Sequence, residues 1–265
     1  MKQTNNKVDN RGDDNADNRA GRDGGVDKSV ACPLLPLKNI PVVFENDVCI
    51  VFNKPAGLPV QGGKGVRVSL DSLLVGAYSP RPFLVHRLDK DTSGLILVAR
   101  NQKAAVYFSG LFASRTVLKQ YLAVCQGRPR ENSGVIRLSL YIKGEKRQSE
   151  TAYTVLKGNG EFSLLCLELG TGRMHQIRRH LAGIGCPVLG DDKYGNFSLN
   201  KSLRKTRRLR RLLLHASRLV IPASPPVDIS APPPDYFEGF VTAAADMTDA
   251  PGKKGFTRED SMSKG

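Results

Sequence analysis

The stretch Val85–Arg100, VHRLDKDTSGLILVAR, decides how the rest of the chain is read. Its first half, His86 to Gly94, is a polar turn with cationic charge, two carboxylates and two hydroxyls. Gly94 lets the backbone change direction. Leu95–Ala99 is an apolar run of strand length and predicts a buried strand. A reactive loop pinned to a buried strand is how a rigid fold holds chemistry in place. Taken alone, the same residues also describe a solvated surface turn, so the surrounding chain has to decide.

Upstream, Val42–Phe44, the turn Glu45-Asn46-Asp47 and Val48–Phe52 read as a hairpin. Asn53–Gly57 ends it. Gln61–Gly65 (QGGKG) is a flexible loop without the Gly-Lys-Ser/Thr ending and following helix of a P-loop. Ser69–Tyr78 has a serine cap and apolar residues at helical spacing. Downstream, Gln102–Ser114 reads as an amphipathic helix, and Leu118–Cys125, Glu150–Leu156 and Phe162–Leu169 as strands. After the turn Gly170–Gly172, Arg173–Gly183 reads as a helix carrying His175, Arg178, Arg179 and His180. Leu212–His215 and Arg218–Ile221 read as two short late strands, and Pro225–Pro234 closes the fold. Many strands with few helices predict a mixed α+β sheet domain.

The 265 residues suffice for one large domain or two small ones, and 40% are apolar, enough for a core. Residues 1–31 are too polar to offset their ordering entropy and read as a disordered tail. Residues 241–265 read similarly, which leaves 32–240 as the folded domain. Formal charge is +15. The first 31 residues hold six acids and six bases, and 246–265 hold four of each, so the excess lies on the folding part. A strongly basic domain favours a polyanion, most often nucleic acid. Five cysteines, an odd number without CxxC spacing, fit a reducing cytosol and argue against a disulfide framework. The start, MKQTNNKVDN, lacks the apolar core of a secretory signal, and no run approaches the roughly 20 apolar residues of a membrane span. A cytoplasmic location with no membrane partner is therefore expected.

Asp89 and Asp91 lie two apart on one loop. A glycosidase needs carboxylates facing each other across a bond, usually from separate segments, so this pair is a poor match. One is expected to act alone while the other caps a turn or meets solvent. A lone carboxylate nucleophile must stay ionised although burial raises its pKa, so an arginine partner is expected. Candidates are Arg87 and the group Arg173, Arg178 and Arg179. His175 and His180 lie about 140° apart around a helix axis. They are not an i, i+4 metal pair, and there is no HExxH pattern, so no metal is expected. Lys201–Arg211 holds seven bases and no acid. Such a block reads as a solvated, mobile loop that can grip phosphates without reading sequence.

Seven segments occur in an order that matches a known family: NKPAGLPV (53–60), HRLDKDTSG (86–94), KQYLAVCQG (119–127), SETAYTVL (149–156), TGRMHQIRRHLAGIGCPVLGDDKYG (171–195), LLLHASRL (212–219) and APPPDYF (231–237). Together they resemble the RluA-type pseudouridine synthases, which isomerise uridine to pseudouridine in ribosomal or transfer RNA. The resemblance implies an α+β fold with a mixed, mostly antiparallel sheet, flanking helices and a central active-site cleft. It implies Asp89 as the catalytic aspartate, Arg178 as the arginine paired with it and Tyr121 as the tyrosine stacking on the flipped uracil. Arg87 lies where an arginine fills the vacated place in the helix. RNA contacts are expected from Arg87, Lys54, Arg173, His175, Arg204, Lys205, Arg207 and Arg208. No cofactor is implied. Ribosomal RNA is the favoured partner and transfer RNA the alternative, with no DNA and a monomeric enzyme expected.

Some features depart from the family pattern. Many members that act on large-subunit ribosomal RNA carry an N-terminal S4 RNA-binding domain, and residues 1–31 are too short and polar to be one. The segment between Gly127 and Ser149 is shorter than in many members. QGGKG resembles the glycine loop of the branch that modifies large-subunit rRNA at several sites. The competing readings are an RNA-binding module that lost catalysis, which would not need Asp89, Tyr121 and Arg178 intact, and a sugar glycosidase, which the charge disfavours. Arg178→Ala is expected to abolish activity with little change in fold.

Overall fold

The run Ser93–Ala99 (SGLILVA) is buried along its whole length. An apolar run without alternation must be covered on both faces, and here it is. Ile96 and Val98 join one cluster with Ile50, Phe52, Leu165 and Leu167, while Leu95, Leu97 and Ala99 join another with Phe108 and Leu219. The computed structural model describes residues 37–243 apart from 143 and 223–225. The tail expected at 1–31 and most of that at 241–265 lie outside the described residues.

The strands and helices are β1 (Val42–Glu45), β2 (Cys49–Lys54), α1 (Leu70–Ala77), β3 (Phe83–Leu84), β4 (Ser93–Ala99), α2 (Gln102–Ala113), β5 (Leu118–Gln126), β6 (Ser133–Arg137), β7 (Leu140–Ile142), β8 (Glu145–Arg147), β9 (Glu150–Gly158), β10 (Phe162–Leu169), α3 (Gln176–Gly183), α4 (Phe197–Thr206), β11 (Leu214–Ile221), β12 (Val227–Ser230) and α5 (Glu238–Ala243). Ten strands form one sheet in the order β1-β2-β4-β11-β5-β10-β9-β6, with β12 against β11 and β3 against β4; β7 and β8 form a separate hairpin. The pair β4–β11 is parallel, and the other pairings in the sheet are antiparallel. The fold is thus α+β with a mixed, mostly antiparallel sheet.

Local chemistry explains the helix starts. Ser69 and Ser72 form a reciprocal capping box at α1, and the Asn101 side chain accepts the Ala104 N–H at 2.9 Å to open α2. Two expectations need correction, and one segment had drawn no expectation. The two late strands are one, β11, broken in appearance by an irregularity between Ala216 and Arg218. Strands β6 to β8 arise in a polar segment where no periodicity marks them. Lys201–Arg211 is not a mobile loop: its first half belongs to α4, capped by Asn196 and seated through buried Leu203, and buried Leu209 anchors the turn beyond the helix.

Gly94 is where β4 meets β11. It pairs with Ala216, has φ +111°, and a Cβ there would lie 2.2 Å from the Ala216 carbonyl oxygen. Across β4 on the other side, Lys54 pairs with Gly94 and is fully buried. Its Nζ donates to the carbonyls of Pro55 (2.9 Å), Leu58 (2.9 Å) and Lys90 (3.1 Å). Burial pushes its pKa down to about 7, against the pull of Asp91 and then Asp89. The expectation that Lys54 contacts RNA is therefore overturned. Its ammonium is used up inside the protein, tying the Pro55–Leu58 turn to the loop that carries Asp89.

His86 is likewise structural. Its ring stacks on Phe112 with centroids 4.2 Å apart, and Nε2 accepts the Leu97 N–H at 2.9 Å. An acceptor nitrogen must be neutral, and burial, with a smaller push from Lys119, lowers the pKa to about 3. His215, bonded to Ser93 Oγ at 3.0 Å, is lowered by burial to about 4.

Two outcomes are expected. Gly94→Ala should destabilise the fold by about 2 kcal/mol or more, because the added methyl group meets backbone; chemical denaturation measures it. Stability should also fall as pH drops from 6.5 towards 3–4. In that window the unfolded chain protonates both histidines while the native state leaves them neutral, each adding a slope of at most about 1.4 kcal/mol per pH unit. Unfolding titrations of His86→Gln should show a shallower slope over the same window.

Candidate active site

Asp89 sits on the loop between β3 and β4. Leu88 beside it is 5% exposed and sunk in the core, so Arg87 and Asp89 on either side are turned outward. The loop is held at Lys90, whose carbonyl accepts both Lys54 Nζ and, at 2.9 Å, the Gly57 N–H, and the Thr92 N–H returns to the Asp89 carbonyl at 3.2 Å. A cleft of about 690 Å³ opens over this loop. Of the residues singled out from the sequence, Arg87, Asp89, Tyr121, Arg173, His175 and Arg178 all line it.

The cleft's charge is organised by a group that sequence reasoning did not name. Arg178 on α3 gives Nε and Nη2 to the two oxygens of Asp191, both at 2.8 Å. Its third nitrogen, Nη1, lies 3.7 Å from Asp89 Oδ2. The expected pairing with Asp89 is thus an ion pair beyond hydrogen-bond reach, and the bonded partner is Asp191. Asp191 is 1% exposed, and its Oδ1 also accepts the N–H groups of Lys193 and Tyr194 at 2.9 Å. Burial works to raise its pKa, but those bonds and the guanidinium hold it below the usual carboxylate range. Burial likewise works against the Arg178 charge, and Asp191 outweighs it. The Tyr194 ring lies 5.2 Å from the guanidinium carbon. The segment GDDKYG at 190–195 carried this signal: a buried arginine on α3 requires a buried carboxylate.

His175 precedes α3 in a left-handed conformation (φ +52°, ψ +29°), so the helix starts at Gln176, later than the expected Arg173. A non-glycine residue held there marks a position fixed by its surroundings. Its Nδ1 is 3.0 Å from the Tyr194 hydroxyl and its Nε2 3.9 Å from Asp89 Oδ1. Burial lowers its pKa, opposed by Asp89 and assisted by Arg178 and Lys193. The turn itself is held by buried Gln176. Its amide nitrogen donates to the Glu150 carbonyl at 2.8 Å, and its oxygen accepts the Thr171 hydroxyl at 2.6 Å and the Arg173 N–H at 3.0 Å.

Tyr121 on β5 is 8% exposed and lines the cleft. Burial first, and then the Asp89 charge, push its pKa up, so the phenol is neutral. Arg204, Lys205 and Arg207 are exposed; none of the three, nor Arg208, lines the cleft. Arg204 pairs with Asp192 at 2.5 Å, and Arg207 lies 3.9 Å from Glu161 and over the Phe162 ring at 5.3 Å. Helix α4 still serves the site. Buried Asn200 accepts the Gly190 N–H at 3.0 Å and donates to the Asp191 carbonyl at 3.1 Å, fixing the turn that presents Asp191.

Known proteins share this fold. Residues 48–183 match the family model described as RNA pseudouridylate synthase. Ribosomal large subunit pseudouridine synthase C of Rickettsia prowazekii is 41% identical over 171 residues, 58% of this chain and 56% of its own length. This chain thus spans little more than half of that relative. An uncharacterized RNA pseudouridine synthase of Zymomonas mobilis is 34% identical over 221 residues, covering 77% of this chain and 98% of the relative. The solved structure of human RNA pseudouridylate synthase domain containing 4 superimposes with a TM-score of 0.65 at 27% identity, covering 76% of this chain and 91% of that one. By sequence and by fold, the chain belongs to the RNA pseudouridylate synthase family.

Proposed function

We propose that the protein isomerises uridine to pseudouridine in RNA, with large-subunit ribosomal RNA as its substrate and Asp89 as its nucleophile. The observation that carries this reading is the convergence of Asp89, Arg178 and Tyr121 on one cleft, with the Asp89 side chain 24% exposed and so reachable from it. The names of the Rickettsia relatives support the ribosomal target.

A uracil cannot be reworked inside a base stack, so the target must be extruded, at a cost of about a few kcal/mol. Exposed Arg87 at the cleft edge is suited to fill the gap left behind. Tyr121 offers an aromatic face to the extruded base, a stacking contact worth about 1–3 kcal/mol. Asp89 then attacks the nucleoside, and the C–O bond it forms is broken again before the product leaves, which returns the free carboxylate. The N1–C1′ bond breaks, the uracil turns and C5 bonds to C1′; C5 gives up its proton and N1 takes one up, so the atoms balance. Arg178 Nη1 lies 3.7 Å from Asp89 Oδ2, and Asp191 keeps Arg178 aimed there. The walls of the cleft must hold the free uracil during its turn, since loss to water would end the reaction.

Asp89→Asn should reduce pseudouridine formation by about a thousandfold or more while RNA binding survives; mass-spectrometric counting of pseudouridine in a ribosomal RNA transcript measures it. A mutant that still turns over would exclude Asp89 as the nucleophile. The buried pair also changes what Arg178→Ala should do. Removing the guanidinium strands Asp191, so the loss of activity should come with destabilisation of about 3–5 kcal/mol. Arg178→Ala/Asp191→Ala should recover much of that stability and none of the activity, by denaturation and by product count.

A further inference from the structure

The end of the cleft near α2 carries cations for which the chemistry above has no use. Arg115 follows α2 in a left-handed conformation (φ +62°) and is exposed, and Lys119 lies half-buried on β5. Both line the cleft. Among the described residues, neither side chain forms an ion pair or a hydrogen bond. Arg87 and Arg173 in the same cleft are likewise unpaired among the described residues, whereas Arg81, Arg100, Arg137, Arg147, Arg204 and Arg218 all meet a carboxylate. Two neighbouring cations left uncompensated at a partly buried site are unfavourable unless an anion joins them. The repulsion is visible in Lys119, whose pKa is lowered by burial and then by Arg115.

Their position says which anion. Lys119 and Tyr121 are two apart on β5, so they share a face of the strand and are spaced about 6.6 Å along it. That is the scale of the step from a nucleotide's base and ribose to its backbone phosphate. The apolar ring of Phe112 and neutral His86 form the wall beside Lys119, and such a wall strengthens an ionic contact by excluding water. The sequence alone points to phosphate contacts on the block at 201–211 and names neither Arg115 nor Lys119.

We propose that Arg115 and Lys119 form a subsite for an RNA backbone phosphate next to the target nucleotide, setting the register in which the base enters over Tyr121. This rests on the reading of the cleft as an RNA-modifying site. Phosphate contacts of this kind position the nucleic acid and carry no sequence information.

The test uses the full chain and two readouts. In the first, a single-stranded, uridine-containing RNA oligonucleotide is titrated into Asp89→Asn protein with and without Lys119→Gln and Arg115→Gln, across a range of salt. Each lost phosphate contact should flatten the slope of log affinity against log salt by about 0.7, and Lys119→Arg should restore it. In the second, turnover of a large-subunit ribosomal RNA transcript by the same variants on the active background should show KM rising about tenfold and more steeply than kcat falls, as expected when one charge contact of roughly 1.4 kcal/mol is lost. Thermal midpoints confirm that each variant is folded. An unchanged salt slope in folded variants overturns the subsite, whatever happens to turnover, because a purely structural role would not move that slope. If the wild type makes no pseudouridine yet the slope flattens, the phosphate subsite stands and only the reaction assigned above falls.

Discussion

Two hydrogen bonds of 2.8 Å fix Arg178 to Asp191 out of water, and their geometry decides where the third guanidinium nitrogen goes. A guanidinium is planar, so binding Nε and Nη2 to one carboxylate leaves Nη1 aimed in a single direction, towards Asp89. Burying such a pair brings little net stability, because desolvation offsets the attraction. What it provides is position. Asp89 takes no hydrogen bond from the arginine, so its oxygens stay open to the cleft.

The rest of the scaffold serves to keep the two carboxylates apart and the arginine between them. On one side, Lys54 and Gly57 clasp the Lys90 carbonyl, and β4 runs from that loop straight through the core. On the other, Gln176 binds the turn before α3 to the start of β9, and Asn200 binds the Asp191 turn to α4. Buried polar side chains at these places have their donors matched to acceptors, most of them backbone carbonyls, which is the condition for burying them at all. The sheet brings the two sides together through the parallel contact of β4 with β11, possible because Gly94 has no side chain.

What could be read from the sequence were features with a local cause. The run Leu95–Ala99 has to be a buried strand, Ser69 marks a helix start, and Asp89 and Arg178 stand out by chemistry and by the company they keep. What could not be read depended on contacts distant in sequence. Lys54 looks like any surface lysine until three carbonyls from two loops close around it. His86 looks like a charge until Phe112 and the Leu97 N–H claim it. Asp191 is one of two adjacent aspartates, and only the fold shows that it is buried while Asp192 is exposed. Seven bases in eleven residues hid the apolar spacing of Leu199 and Leu203 that makes α4 a helix.

Helix α4 also separates two kinds of evolutionary freedom. The side chains that steady the Asp191 turn, Asn200 and Leu203, face inward, whereas Lys201, Arg204 and Lys205 face outward. Apart from Arg204, which pairs with Asp192 beside the buried Asp191, the outer face can therefore be rewritten without disturbing what the inner face holds in place. Substitution there would alter the charge of the surface while the buried contacts under it persist, so a single helix divides what can drift from what must be kept.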